Sequence, residues 1–393
     1  MKKSLVALAA LAATSAFAQF SIDGIFDAGY QQVNYKGNTV TGIQGNGSST
    51  SQLNFRGNED LGGGLRAVFR VETDWSTVSN LANQGVAASV NAGNGTAPQT
   101  TAVNSINGSN ASWANGEIRG GLTGGFGEVH AGAVNYNSLT TFLTGQPFGT
   151  AIGSGFRTFY INDAQATSSV RAENAIKYVT PSFNGLQATV YKSWKQTKAN
   201  SASAATSSTT GLVTQPNAFS SSLGAYDQIG TAEVGLNYAN GPLAVSFSSL
   251  KQDFVGVSAV GSSSAAAGTV VNTVNTLAGA YTMGATKLAL LNQTNKTDTN
   301  STNNKATTAS VTHTMGAIVL MGQFGSLQNV SGVTSSLRGL GLDYNLSKTT
   351  ALYVRNESIN DKAGAMNAAI TPTAIKGTDT TFARTALGLR IGF

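Results

Sequence analysis

The sequence predicts an all-β chain: sixteen antiparallel strands closed into a transmembrane β-barrel. Three observations predict it. Apolar and polar residues alternate with a period of two, short and long connections alternate along the chain, and charge is sparse while glycine is abundant. The clearest segment is 51–75, two strands folded about one tight turn. Leu53 and Phe55 alternate with Gln52, Asn54 and Arg56; Leu65, Ala67, Phe69 and Val71 alternate with Arg66, Arg70 and Glu72. A period of two sends each set to its own face. One face is apolar and the other charged, as when lipid bathes one side and water the other.

Strands read in order are 20–35, 51–58, 64–75, 113–122, 127–136, 173–181, 186–195, 230–238, 243–253, 272–283, 286–296, 309–315, 318–329, 336–346, 350–359 and 380–393. Short connections carry Gly, Pro, Asn and Asp, as tight hairpins require: Asn58–Gly63, Thr123–Phe126, Pro181–Gly185, Asn240-Gly241-Pro242, Gly284, Gly316 and Asn345–Lys348. Between them run long Ser/Thr/Asn/Gly tracts at 36–50, 76–112, 137–172, 196–229, 254–271, 297–308, 330–335 and 360–379. Short turns on one side and long loops on the other describe a bacterial outer-membrane barrel. Tyr238, Tyr344, Phe20 and Phe393 at one set of strand ends, and Trp75 and Tyr136 at the other, read as two interfacial girdles.

Residues 1–18 read as a signal peptide: Lys2 and Lys3, an apolar run from Leu5 to Ala13, then Ala16-Phe17-Ala18 before the cleavage point. The run is too short to cross a hydrocarbon layer of about 30 Å. One barrel domain, 19–393, follows. Without Lys2 and Lys3 the chain holds 22 basic and 18 acidic residues, a net charge of +4. These charges are scattered, with no basic stripe, so nucleic acid is not an expected partner. Charged residues make up 11 % of the chain against about 25 % in soluble domains. There is no cysteine, so no disulfide framework forms.

Enzyme chemistry has little to stand on. The sequence lacks G-x-S-x-G, H-E-x-x-H and P-loop motifs, and offers two histidines, His130 and His313. No metal or cofactor is expected. A barrel protease or phospholipase would need a Ser-His or Asp-His constellation at the rim. A secreted β-sandwich adhesin would account for export and the polar tracts, but not for the long–short alternation.

Several segments resemble the Gram-negative general-diffusion porins, particularly their β-proteobacterial branch. Asp23-Gly24-Ile25-Phe26-Asp27-Ala28-Gly29 is similar to that family's opening strand. Phe55-Arg56-Gly57-Asn58-Glu59-Asp60-Leu61-Gly62-Gly63-Gly64-Leu65 resembles its L-R-G-x-E-D-L-G-x-G-L hairpin. Gly121–Val129 and Arg171–Gly185 are similar to two further turn-and-strand motifs, and Leu387–Phe393 to its terminal assembly strand. The resemblance implies a homotrimer of 16-stranded barrels in the outer membrane. Each would be narrowed by an inward third loop at 137–172, with 76–112 latching onto a neighbouring subunit. It also implies contact with outer-membrane lipid and lipopolysaccharide, recognition of the strand ending at Phe393 by assembly machinery, and passive diffusion of small hydrophilic solutes and ions. A channel preferring one small polar nutrient is the alternative within that class. Gln52, Asn115-Gly116-Glu117 and Ala131–Val134 stand where the family carries constriction arginines.

A porin's chemistry is a width and a field. By strand parity Arg70, Glu72, Lys177 and Arg384 face the lumen at mid-strand, as do Asp23 and Asp27 on strand 1 and Glu117 and Arg119 on strand 4. Arg56, Arg66 and Arg390 face inward nearer the short turns. The expected constriction sets a basic wall of Arg70, Arg119 and Lys177 against acid on the inward loop, foremost Asp163. Phe142, Pro147, Phe148, Phe156, Phe159 and Tyr160 are expected to pack that loop against the wall.

Overall fold

A computed structural model describes residues 19–35, 37–75, 77–78, 114–156, 170–199, 226–255, 269–298, 303–362 and 380–393. The expected signal peptide, Phe159, Tyr160, Asp163 and most of 76–112 lie outside the described residues. The elements are β1 (Gln19–Tyr35), β2 (Asn38–Gly45), β3 (Gln52–Gly62), β4 (Leu65–Asp74), β5 (Ile118–Gly124), β6 (Gly127–Asn135) and helix α1 (Asn137–Thr144). There follow β7 (Arg171–Val179), β8 (Leu186–Ala199), β9 (Tyr226–Asn240), β10 (Leu243–Val255), β11 (Thr269–Met283) and β12 (Thr286–Thr297). The last five are β13 (Asn303–Met315), β14 (Ile318–Gln328), β15 (Thr334–Asn345), β16 (Thr350–Asn360) and β17 (Thr381–Gly392).

Apart from β2 and β3, each strand pairs antiparallel with the next, and β1 pairs with β17 from Ile25↔Gly392 to Tyr35↔Phe382, which closes the barrel. The seventeen segments form sixteen staves. One edge of β1 pairs with β3 along Gln19–Ile25 and with β2 along Ala28–Tyr35, so β2 and β3 are two halves of one stave. Closure leaves no edge to be satisfied in lipid, where an unpaired N–H or C=O costs several kcal/mol. None of the described helices is long and apolar enough to cross a membrane; the crossing is made by strands.

The alternation has the expected polarity. On β12, Leu290 is 63 % exposed while its neighbour Leu291 is 1 % exposed. Leu277, Phe324, Leu340 and Leu387 likewise stand exposed, while Thr276, Gln323 and Glu357 are buried on the opposite face. So large an apolar outer surface would be a liability in water and is the lipid face of a barrel. Two-residue hairpins at Gly284-Ala285 and Gly316-Ala317 place glycine first at φ 56° and 58°, the geometry that matches strand twist.

Three expectations are corrected. Residues 36–50 are not one long loop: β1 turns straight into β2, and 46–51 are an excursion between the two halves of the stave. β13 starts at Asn303, not 309, because above the lipid its outward residues Lys305 and Thr307 are polar and erase the hydrophobic alternation. Tyr136 is no girdle residue. It is 2 % exposed, and its ring meets Tyr191 edge-on at 5.2 Å, on the inner side.

The closing seam is tight. Gly24 and Phe393 exchange backbone hydrogen bonds of 2.9 and 3.1 Å. A Cβ on Gly29 would lie 2.5 Å from the Leu387 carbonyl oxygen and 2.6 Å from Gly388 Cα, both backbone atoms that cannot swing aside. Gly29→Val is therefore expected to cost roughly 1–3 kcal/mol or more and to deplete the folded, heat-modifiable band on gels. Gly279→Val, with nothing within 4 Å, is expected to fold as wild type.

Candidate functional site

The inner wall of β3–β7 carries charge in two register rows. Arg56 pairs with Arg70 and Arg70 with Arg119, so three arginines from adjacent strands stand in one row. Glu72 and Glu117 form the next row toward the long loops, joined by a backbone bond from Glu72 N–H to the Glu117 carbonyl at 2.9 Å. Period-two geometry fixes all five on one face. The Arg70 guanidinium contacts both carboxylates, with Glu117 Oε2 at 2.8 Å from Nη1 and Glu72 in direct contact with Nη2. Arg119 lies 3.4 Å from Glu117 and meets the His130 ring at 2.7 Å, while His130 Nε2 is 2.9 Å from Glu128. Arg171 extends the network, 3.7 Å from Glu72, and donates to Asn135 Oδ1 at 2.9 Å. Asp23 accepts from Arg56 Nε at 2.5 Å and from Asn54 at 2.9 Å.

The expected basic wall is thus interleaved with acid. Lys177 lies beside this cluster, opposite His130 in register, and its Nζ donates to the Asn135 carbonyl at 3.0 Å. Asp27 and Arg384 stand apart from it. Asp27 is wholly buried: Oδ1 accepts from Gly47 N–H at 2.9 Å and from Tyr353 O–H at 2.7 Å. Its Oδ2 accepts from Ser48 and Ser49 N–H at 3.0 and 2.9 Å. Arg384, 6 % exposed, donates from Nη2 and Nε to Glu357 Oε1 at 2.7 and 3.1 Å.

Glu357 and Glu233 are the site residues that sequence reasoning missed. Glu357 Oε2 accepts from Gly153 N–H at 3.1 Å and Gly155 N–H at 2.7 Å. Glu233 accepts from Asn137 N–H at 2.5 Å and Ser138 N–H at 2.7 Å, the first amides of α1. The residue before the helix, Tyr136, supplies no side-chain cap, so a carboxylate from β9 fills that role and meets the positive helix end. The available signal is parity: each is an isolated acid on the polar face of its strand.

Together these contacts lay 137–156 along the buried polar face of β9–β16. Thr141 and Ser246 hydroxyls lie 2.7 Å apart, Ser310 Oγ donates to the Gly145 carbonyl at 3.2 Å, and Gln323 donates to the Ser154 carbonyl at 3.2 Å. Phe142 and Phe156 rings meet at 5.2 Å and are buried with Leu291, Leu327, Leu337, Ile359 and Phe382. Wall glycines let the segment approach: a side chain on Gly235 would strike Asn137, and one on Gly339 the backbone of Gly153. The excursion 46–51 joins the same assembly, since Ile152 N–H donates to the Gly47 carbonyl at 3.3 Å and Arg355 to Ser48 Oγ at 3.0 Å. Among the described residues no cluster of His, Cys, Asp and Glu is arranged to hold a metal ion.

Relatives place this architecture. A sequence profile of the Gram-negative porin family matches residues 4–364. The outer membrane porin protein 32 of Delftia acidovorans is 29 % identical over 372 residues, covering 90 % of this chain and 88 % of that one. The major outer membrane protein P.IB of Neisseria lactamica is 30 % identical over 202 residues, 48 % of this chain and 49 % of that one. The anion-selective porin from Comamonas acidovorans superposes with a TM-score of 0.67 at 22 % identity, covering 96 % of this chain and all of that one. OmpT of Vibrio cholerae in its trimer form gives 0.56 at 13 % identity, covering 96 % and 99 %. Sequence profile and barrel agree: the chain belongs to the Gram-negative porin family, multi-pass outer-membrane channels for passive diffusion.

Proposed function

We propose that this porin passes small hydrophilic solutes and ions through a lumen narrowed by 137–156 and braced by 46–51, with weak preference for either sign of charge. The observation that carries this reading is the interleaving of Arg56, Arg70 and Arg119 with Glu72 and Glu117 on one wall. A row of bare arginines would draw anions; here each of the three arginines touches at least one carboxylate, so the local field is dipolar. Arg70, Glu72, Glu117, Arg119 and Lys177 are the constriction charges in this reading, with Asp163 as a partner across the pore. Asp27 and Arg384 act as anchors, fixing how far the inward segments intrude.

The same reading gives the chain a homotrimeric state, with 76–112 as the subunit latch, a cleaved signal peptide at 1–18, and assembly through the strand ending at Phe393. Lipopolysaccharide surrounds the trimer.

Two measurements check this. In planar bilayers under a KCl gradient, wild type is expected to show a reversal potential near zero. Glu117→Gln should shift it toward anion preference and Arg70→Ala toward cation preference; no shift in either variant contradicts the constriction assignment. Glu357→Gln keeps the side-chain volume but weakens the charge-assisted bonds to Gly153 and Gly155, each worth about 1.5–3 kcal/mol. Its single-channel conductance is expected to be larger and noisier, and wild-type traces would count against the anchor.

A further inference from the structure

The chain has two histidines, and they sit on opposite faces of the barrel. His313 lies between the exposed Val311 and Met315 on the outer face of β13, with Thr286 Oγ1 at 2.8 Å from its Nδ1. His130 is 3 % exposed, on the inner face of β6 beside the arginine row. Its register partner on β5 is Gly121, and the partner of Arg119 is Gly132. The two side chains are therefore diagonal neighbours, each facing a glycine, and a long arginine reaches across. A Cβ on Gly121 would lie 2.6 Å from His130 Nδ1, so the glycine is what admits the ring.

Arg119 Nη1 stands 2.9 Å from His130 Nδ1 and 2.7 Å from Nε2, and Glu128 Oε2 stands 2.9 Å from Nε2. A guanidinium donates and never accepts; a carboxylate only accepts. Both neighbours are satisfied by a neutral ring that gives its Nε2 proton to Glu128 and keeps the Nδ1 lone pair for Arg119. The partners assign this tautomer. An imidazolium has no lone pair, so it keeps Glu128 and offers Arg119 only a like charge. Arg119 would then retain Glu117, at 3.4 Å, and its buried Nε meets no hydrogen-bond partner among the described residues. The charged groups facing the ring are Glu128 on its own strand, Arg119 and Glu117 on β5 and Lys177 on β7. Protons reach it past Glu128, whose side chain is 49 % exposed.

We propose that His130 sets the ion preference of the channel according to pH, as a positioning residue acting through Arg119. The neutral ring holds the guanidinium against the wall beside Glu117. Protonation pairs the ring with Glu128 alone, adds one positive charge and turns Arg119 toward the lumen. The acidified pore therefore favours anions, because low-dielectric walls focus the field of the released guanidinium. Histidine is the side chain that ordinarily changes charge between pH 5 and 8, the range in which the effect is sought. The proposal rests on the reading of Arg119 as a constriction charge.

The test is the reversal potential of the full-length channel in planar bilayers under a KCl gradient, read in steps from pH 8 to pH 5. The chloride-to-potassium permeability ratio of wild type is expected to rise about threefold on acidification. His130→Gln should flatten that profile, Arg119→Gln should keep less than half of the rise, and His313→Gln should follow wild type. A flat wild-type profile overturns the proposal without any variant. So does a His130→Gln channel that still shifts, which would assign the effect to carboxylates, or an Arg119→Gln channel that keeps the full rise. Loss of the rise in His313→Gln overturns it as well. If His130→Gln forms no channels, the wild-type and Arg119→Gln profiles decide. Glu117→Gln and Arg70→Ala, read at pH 8 alone, report the constriction charges separately; their expected shifts beside a flat wild-type pH profile sink the role of His130 and leave the constriction standing.

Discussion

Backbone amides buried inside a barrel need acceptors, and here carboxylates on the wall provide them. Asp27, Glu233 and Glu357 together accept seven backbone N–H groups from two segments, 46–51 and 137–156. Each is 0–2 % exposed. An unpaired buried charge would be severely unfavourable, and so would orphaned amides; the pairing resolves both at once. Arg384 beside Glu357 and the Tyr353 hydroxyl on Asp27 complete two of the three sets. Without these contacts the barrel could still close by its strand ladder, but the inner segments would keep only single contacts to the wall such as Thr141–Ser246, Ser310–Gly145, Gln323–Ser154 and Arg355–Ser48.

The anchors also divide the lumen. On the β9–β16 side the wall is covered by 137–156, with an apolar cluster of Phe142, Phe156, Leu291, Leu327, Leu337, Ile359 and Phe382 beneath it. On the β3–β7 side the arginine row is less buried, with the Arg119 side chain 25 % exposed and that of Arg70 16 %, while Glu72 and Glu117 beside it are buried. In the proposed function, solute passing between them meets charge on one wall and packed chain on the other. On that proposal, width and field come from different residues.

The barrel was legible in the sequence because its signals are local. Period-two alternation of Leu53, Phe55, Leu65, Phe69 and their kin reports the lipid face directly, and Gly284 and Gly316 report hairpins within a few residues. The Arg70, Glu72, Glu117 and Arg119 cluster was also reachable, since parity alone puts those side chains in the lumen. Legibility stopped where a strand rises above the lipid. β2 and the first half of β13 carry polar residues on both faces, so they read as loop. It stopped again at the anchors. Gly153 and Glu357 are 204 residues apart, and Asp27 and Tyr353 are 326 apart, distances over which no periodicity speaks. Parity turns Asp27 and Arg384 inward, but which group each meets depends on the closed barrel.

The most direct measurement of the central claim is amide hydrogen exchange on the refolded protein in detergent. The account predicts that Gly47, Ser48, Ser49, Asn137, Ser138, Gly153 and Gly155 are protected on the timescale of the barrel strands, although five of the seven lie in segments with no regular secondary structure. Exchange of these amides at the rate of exposed loop residues would contradict it.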